Sequence, residues 1–119
     1  MRSIDIALDC FPHNSGTTII EHLYMGNPVI TLAGRPSVGL IGSCYLKTMG
    51  RPEWIAETKE QYIEKALLLA SNIENLSDIR SSLRKEIRQS SMMNEDLFMA
   101  KMENTYQEMW KKWCESGIN

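Results

Sequence analysis

The sequence predicts an α/β fold organised on a parallel sheet, and three observations carry that prediction. Two short, mainly apolar runs, Ile4–Leu8 and Pro28–Ala33, read as strands buried on both faces. A turn-rich segment and one short helix separate them, the spacing of a βαβ unit of about thirty residues. Beyond them the apolar period changes to that of a helix and stays so to the end of the chain.

Taken in order, strand one is Ile4–Leu8 and closes on the acid Asp9. The loop from Asp9 to Gly16 carries Pro12, Asn14 and Gly16, three turn formers that act through different backbone preferences. Helix one spans Thr17–Met25, with Gly26 in the left-handed stop position and Pro28 preventing continuation. Strand two, Pro28–Ala33, follows at once. After the loop Gly34-Arg35-Pro36, helix two is expected over Ser37–Met49, closed by Gly50. It contains Gly39 and Gly42, which cost helix stability unless they permit close packing or approach to a ligand.

Trp54-Ile55-Ala56 makes a short third strand. Thr58-Lys59-Glu60-Gln61 fits a capping box and opens a helix whose apolar face is Tyr62/Ile63, Ala66/Leu67, Ala70 and Ile73. A further helix is expected over Asn75–Gln89, with Leu76, Ile79, Leu83 and Ile87 inward and Arg80, Arg84, Lys85 and Arg88 solvated. The last helix begins near Asn94. Glu95 and Asp96 in its first turn and Lys111 and Lys112 in its last suit the helix dipole. Its apolar set, Leu97/Phe98, Met102, Tyr106, Met109/Trp110 and Trp113, is too wide to leave in water and calls for a partner, this domain or a neighbour.

The bulk numbers narrow the function. The chain has 119 residues, 43% hydrophobic and 24% charged, enough for one domain with a real core. A net charge of −2 gives no electrostatic case for nucleic acid or an anionic membrane. Cys10, Cys44 and Cys114 are odd in number and lack zinc or disulfide spacing, which points to a reducing, cytoplasmic setting. No apolar run is long enough to span a bilayer, and no signal-peptide pattern stands at the start. A doubly wound domain has about five or six parallel strands. With three strand candidates, this chain reads as the back half of a larger fold.

The segment Asn14-Ser15-Gly16-Thr17-Thr18-x-x-Glu21 is the sharpest chemical candidate. A helix N-terminus presents unpaired N–H groups and partial positive charge, so it suits phosphate. Gly16 admits close backbone approach, Thr17 and Thr18 add hydroxyl donors, and Glu21 one turn on suits ribose hydroxyls. The competing reading is that Thr18-Ile19-Ile20-Glu21 is itself a capping box, with no ligand needed. GxGxxG and the P-loop pattern are absent, so hydride transfer and ATP hydrolysis have no support. Asp9 is read as orienting the loop, His13 and Arg35 as polar surface, His22 as structural, and Met92-Met93 and Trp110/Trp113 as core or interface packing.

The run Leu8-Asp9-Cys10-Phe11-Pro12-His13-Asn14-Ser15-Gly16-Thr17-Thr18, then Glu21, Leu23 and Met25 through Gly34, resembles the nucleotide-binding half of O-linked N-acetylglucosamine transferases. The SPINDLY-like bacterial members, which carry TPR repeats, are the nearest in pattern. The likeness continues through Pro52–Ala56 and Tyr62 to Tyr106, Met109-Trp110-Lys111-Lys112-Trp113, and so covers residues 1–119. It implies a GT-B glycosyltransferase, with this chain as the C-terminal part of its Rossmann-like nucleotide-sugar domain followed by C-terminal helices. It further implies inverting, metal-independent transfer of N-acetylglucosamine from UDP-N-acetylglucosamine, or of a related nucleotide sugar, to a protein Ser or Thr. The roles carried over are diphosphate contact by Thr17 and Thr18 and ribose contact by Glu21, with Asn14 and Gly16 in the same site. No catalytic group is carried over, and the isolated chain is expected to be inactive.

Two positions depart from the family pattern. Some members have a histidine where this chain has Gly16, and relatives often carry Ser-Arg where Gly39-Leu40 stands. The rival function is a non-catalytic interaction module that uses the long terminal helix. There the Phe98–Trp113 face binds a partner or self-associates, whereas for the back half of a Rossmann-like fold exposed apolar surface is expected to drive homodimerisation.

Overall fold

The computed structural model describes residues 3–117; the ends of the expected 1–119 unit, 1–2 and 118–119, lie outside them. The fold is mixed α/β. Strands β1 (Ala7–Leu8), β2 (Val29–Leu32) and β3 (Ile55–Ala56) form a parallel sheet in the order β1-β2-β3. Ala7 is level with Val29, Leu8 with Ile30, Thr31 with Ile55 and Leu32 with Ala56. Helices α1 (Thr17–Tyr24), α2 (Ile41–Thr48), α3 (Lys59–Ser71), α4 (Ile73–Gln89) and α5 (Glu95–Glu115) complete the described residues, with 3-10 turns at Pro52–Trp54 and Ser91–Met93.

Each expected strand and helix is present, and the differences lie in boundaries and faces. Trp54, expected to open the third strand, instead closes the 3-10 turn Pro52–Trp54, with β3 starting at Ile55. β1 is shorter than Ile4–Leu8 because its ladder to β2 starts where Ala7 donates to the Pro28 carbonyl (2.9 Å). α2 starts at Ile41 and not Ser37, because residues 34–39 close a turn of their own: Gly34 donates to the Gly39 carbonyl (2.7 Å) and Gly39 to the Arg35 carbonyl (2.9 Å). α4 starts at Ile73 and not Asn75, since the Asn72 side chain accepts from the Asn75 N–H (2.9 Å) as its cap. Gly26, at φ +83°, ends the α1 turn as its position predicts.

The core is built from Ile19 and Leu23 of α1, Val29 and Ile30 of β2, Leu46, Trp54, Leu69, and Leu83 and Ile87 of α4. The α4 stripe is therefore the one expected. The α3 face is rotated: Ile63, Leu67 and Ile73 are 58%, 64% and 77% exposed, while Tyr62, Ala66 and Leu69 turn inward. α3 packs against β2 and β3, and that contact selects a single edge of its broad apolar surface. On the far side, Arg51 clamps Glu86 with Nε and Nη2 (2.9 and 2.7 Å) and lies over the Trp54 ring at 5.0 Å. Burial pushes the Glu86 carboxyl up, but hydrogen bonds from Ser82 and Arg51 and the Arg51 charge outweigh it and hold it below its ordinary value.

α5 behaves differently. It leaves the body at the 3-10 turn Ser91–Met93, and none of its residues is buried. Twenty-one residues make about 32 Å of helix, which explains why the molecule measures 62 × 29 × 20 Å. Trp110 and Trp113 stack on each other at 5.1 Å and remain in solvent, so of the two placements expected, core or interface packing, the core of this domain is not the one adopted.

Candidate functional site

The carboxyl ends of β1 and β2 bring two loops together: residues 9–16 after β1 and 34–39 after β2. The Asn14 N–H donates to the Val38 carbonyl (2.9 Å), joining them. Open α/β sheets bind ligands at this edge.

Asp9 is the hub. Although acidic, it is only 4% exposed, and a buried carboxylate needs donors for both oxygens. The Ser15 N–H donates to Oδ1 (2.8 Å) and the Thr31 hydroxyl to Oδ2 (2.7 Å). Asp9 thus orients the loop, as its sequence position suggested. Gly42 of α2 lies directly over this pair: an added Cβ would come within 2.8 Å of Thr31 Cβ and 2.9 Å of Asp9 Oδ2. The condition set by the sequence for a glycine inside α2, close packing, is met here.

Asn14, expected among the ligand contacts, is 1% exposed. Its Nδ2 donates to the carbonyls of Cys10 (3.2 Å) and Leu32 (3.4 Å), and its Oδ1 accepts from the Gly42 N–H (3.4 Å). The end of β2 and the start of α2 converge on this side chain, so it shapes the loop from beneath.

Gly16, Thr17, Thr18 and Glu21 do come together on the surface. Gly16 is the N-cap of α1, no side chain caps this helix, and its first turn holds no acid. The capping box expected at Thr18-Ile19-Ile20-Glu21 does not form, because the helix starts at Thr17 and Thr18 is already inside it. Ser15 N–H is taken by Asp9 and Ile19 N–H by the Gly16 carbonyl (3.1 Å). The donors between them, at Gly16, Thr17 and Thr18, have no side-chain acceptor. A Cβ at Gly16 would meet nothing within 4 Å, so the approach is open. The Thr17, Thr18 and Glu21 side chains are exposed, and Thr18 with Ser15 and His22 borders a cleft of about 340 Å³ along β1.

Two supports carried no assigned role in the sequence. Thr31 had a signal, a hydroxyl in an otherwise apolar strand. Tyr62 stood in the expected apolar face of α3, yet its hydroxyl donates to the Asp9 carbonyl (2.7 Å). Its ring meets Phe11 edge-on at 5.6 Å. Burial, then the neighbouring Asp9 and Cys10, hold the Tyr62 phenol above its ordinary range, so it remains a donor at neutral pH. His13 and Arg35 are exposed loop residues.

Comparison with known proteins decides the family. The model for "Glycosyl transferase family 41" matches residues 2–102. This chain belongs to that family. Similar proteins include the "Probable UDP-N-acetylglucosamine--peptide N-acetylglucosaminyltransferase SPINDLY" of Petunia hybrida, 36% identical over 97% of this chain. The protein of the same description from Arabidopsis thaliana is also 36% identical over 97% of this chain. A UDP-N-acetylglucosamine--peptide N-acetylglucosaminyltransferase of Caenorhabditis elegans is 26% identical over 96%. Among solved structures, a mutant O-GlcNAc transferase of Thermobaculum terrenum superposes with TM-score 0.88 at 37% identity over 97% of this chain. The family 41 chain described here spans 12% of the petunia protein, 13% of the Arabidopsis protein and 22% of the Thermobaculum chain. Its sheet and helices are thus those of part of a GT-B glycosyltransferase domain. Among the described residues, no helix is long and apolar enough to cross a membrane.

Proposed function

We propose that this chain forms the diphosphate- and ribose-facing wall of a nucleotide-sugar site in a protein O-glycosyltransferase. The parent enzyme would move N-acetylglucosamine from UDP-N-acetylglucosamine to a Ser or Thr hydroxyl. The observation that carries the reading is the uncapped N-terminus of α1, open at Gly16 and flanked by the exposed Thr17 and Thr18. Glycosyl transfer leaves negative charge on the departing diphosphate, and preorganised N–H and hydroxyl donors at a helix N-terminus stabilise such charge. These donors do that work without a metal ion, so nucleotide affinity is expected to survive EDTA. Glu21 accepts from the ribose hydroxyls. No catalytic group is assigned to this chain's residues, so the chain by itself is expected to bind nucleotide without turnover. The three free, exposed cysteines favour a reducing cytoplasmic setting.

A titration with UDP and with GDP followed by protein-observed NMR tests this reading. Saturable UDP shifts are expected from Gly16 to Glu21, with roughly tenfold weaker binding in Thr18→Ala and in Glu21→Ala, the effect of one lost hydrogen bond to a charged or desolvated group. No shift up to millimolar UDP would overturn it.

A second activity, self-association, is favoured by α5. Phe98, Tyr106, Met109, Trp110 and Trp113 are 59%, 62%, 60%, 63% and 54% exposed along one helix, more apolar surface than a monomer ordinarily leaves in water. Antiparallel pairing with a second copy would set Glu95 and Asp96 of one protomer against Lys111 and Lys112 of its partner. Sedimentation velocity is expected to show a dimer that Trp110→Asp disperses. A monomer at about 100 μM, well above the micromolar range of weak specific dimers, would exclude this.

A further inference from the structure

We infer that Tyr62 is a positioning residue for the nucleotide diphosphate, acting from α3 through the backbone of Asp9. The inference rests on the nucleotide-sugar reading above and extends it to a residue outside the phosphate turn. The turn 9–16 has to hold three donors, at Gly16, Thr17 and Thr18, in one geometry before a phosphate arrives, because donors that are ordered only on binding lose affinity to that ordering. Its own sequence supplies part of that order. Asp9 fixes Ser15 through Oδ1, and Asn14 ties Cys10 to Leu32 and Gly42.

The Ser15–Asp9 and Asn14–Cys10 bonds close the turn on itself, and only the Asn14 bonds to Leu32 and Gly42 tie it to β2 and α2. From α3, the Tyr62 hydroxyl donates to the Asp9 carbonyl (2.7 Å) and its ring packs edge-on against Phe11 (5.6 Å). Lys59, one turn earlier in α3, sets its ammonium over the other partner of that pair, 5.7 Å from the Phe11 centroid. α3 itself packs on β2 and β3 and is capped at Thr58, whose hydroxyl accepts from the Gln61 N–H (3.2 Å), so the clamp is mounted on a fixed element. Asp9 is thereby held at both its carboxylate and its carbonyl, and the peptide that leads into the turn is immobilised.

Tyr62→Phe removes the hydroxyl and keeps the contact with Phe11, so it separates positioning from packing. Three readouts are taken on wild type and variant: UDP affinity, hydrogen exchange of the Asn14 and Ser15 amides, which are bonded to the Val38 carbonyl and the Asp9 carboxylate, and exchange at Leu83 and Ile87 in the core. The expected result is roughly fivefold weaker UDP binding, consistent with one lost hydrogen bond. Faster exchange is expected at Asn14 and Ser15, with no change at Leu83 and Ile87. A variant that binds UDP as wild type does, or that loosens the core and the turn together, overturns the positioning role and leaves the nucleotide site standing. Wild-type protein that fails to bind UDP overturns both.

Discussion

Gly42→Ala is expected to destabilise the protein by about 3 kcal/mol, the upper part of the range for overpacking a closed site. The new methyl would press on the Thr31 hydroxyl and Cβ and come within 2.9 Å of Asp9 Oδ2. Neither neighbour has room to retreat: Thr31 is 0% exposed and held in β2, and Asp9 is 4% exposed and already bonded at both oxygens. Alanine ordinarily favours a helix over glycine by about 1 kcal/mol, so a loss here reports the clash alone. Thermal unfolding should show a midpoint lower by roughly 10 °C for a domain of this size, and the Ser15 amide resonance should move as the Asp9 carboxylate is displaced. Stability equal to or above wild type would mean that α2 slides away from β2 at little cost, and the account of Gly42 as a glycine required by close packing over Thr31 and Asp9 would fail with it.

Leu83→Ala should be comparably damaging, costing about 2–5 kcal/mol. Leu83 is 0% exposed and belongs to the same core as Ile19 and Leu23 of α1, so its loss opens a cavity beneath the helix that carries the candidate site. Against a typical total stability of about 5–15 kcal/mol, the variant would be marginal at 37 °C. Urea denaturation measures this directly: the midpoint falls while the slope, which follows the surface exposed, stays constant. A changed slope with an unchanged midpoint would show that α4 is not part of the cooperative core.

These two variants also mark the boundary between what is local and what is not. Leu83 is legible from sequence because α4 buries one narrow stripe, Leu76, Leu83 and Ile87, and a period of 3.6 residues then reports the buried face. The βαβ order, the stop at Gly26 and the caps at Thr58 and Asn94 are legible for the same reason: each is settled by residues a few positions apart. The sequence likewise placed Gly16, Thr17, Thr18 and Glu21 at one helix start.

Neighbouring residues were thus enough to set the order and type of the elements, the α4 face and the residues that open α1. Tertiary structure alone decided the rest. Whether Thr18 caps α1 depended on where the turn held by Asp9 lets the helix begin. Asn14 was turned inward by the meeting of β2 and α2. Tyr62 was recruited as a donor by a carbonyl 53 positions away in sequence, and α5 was left bare because its apolar face finds no complementary surface on this body. Each of these outcomes depends on contacts between segments distant in the chain, and no local periodicity encodes such contacts.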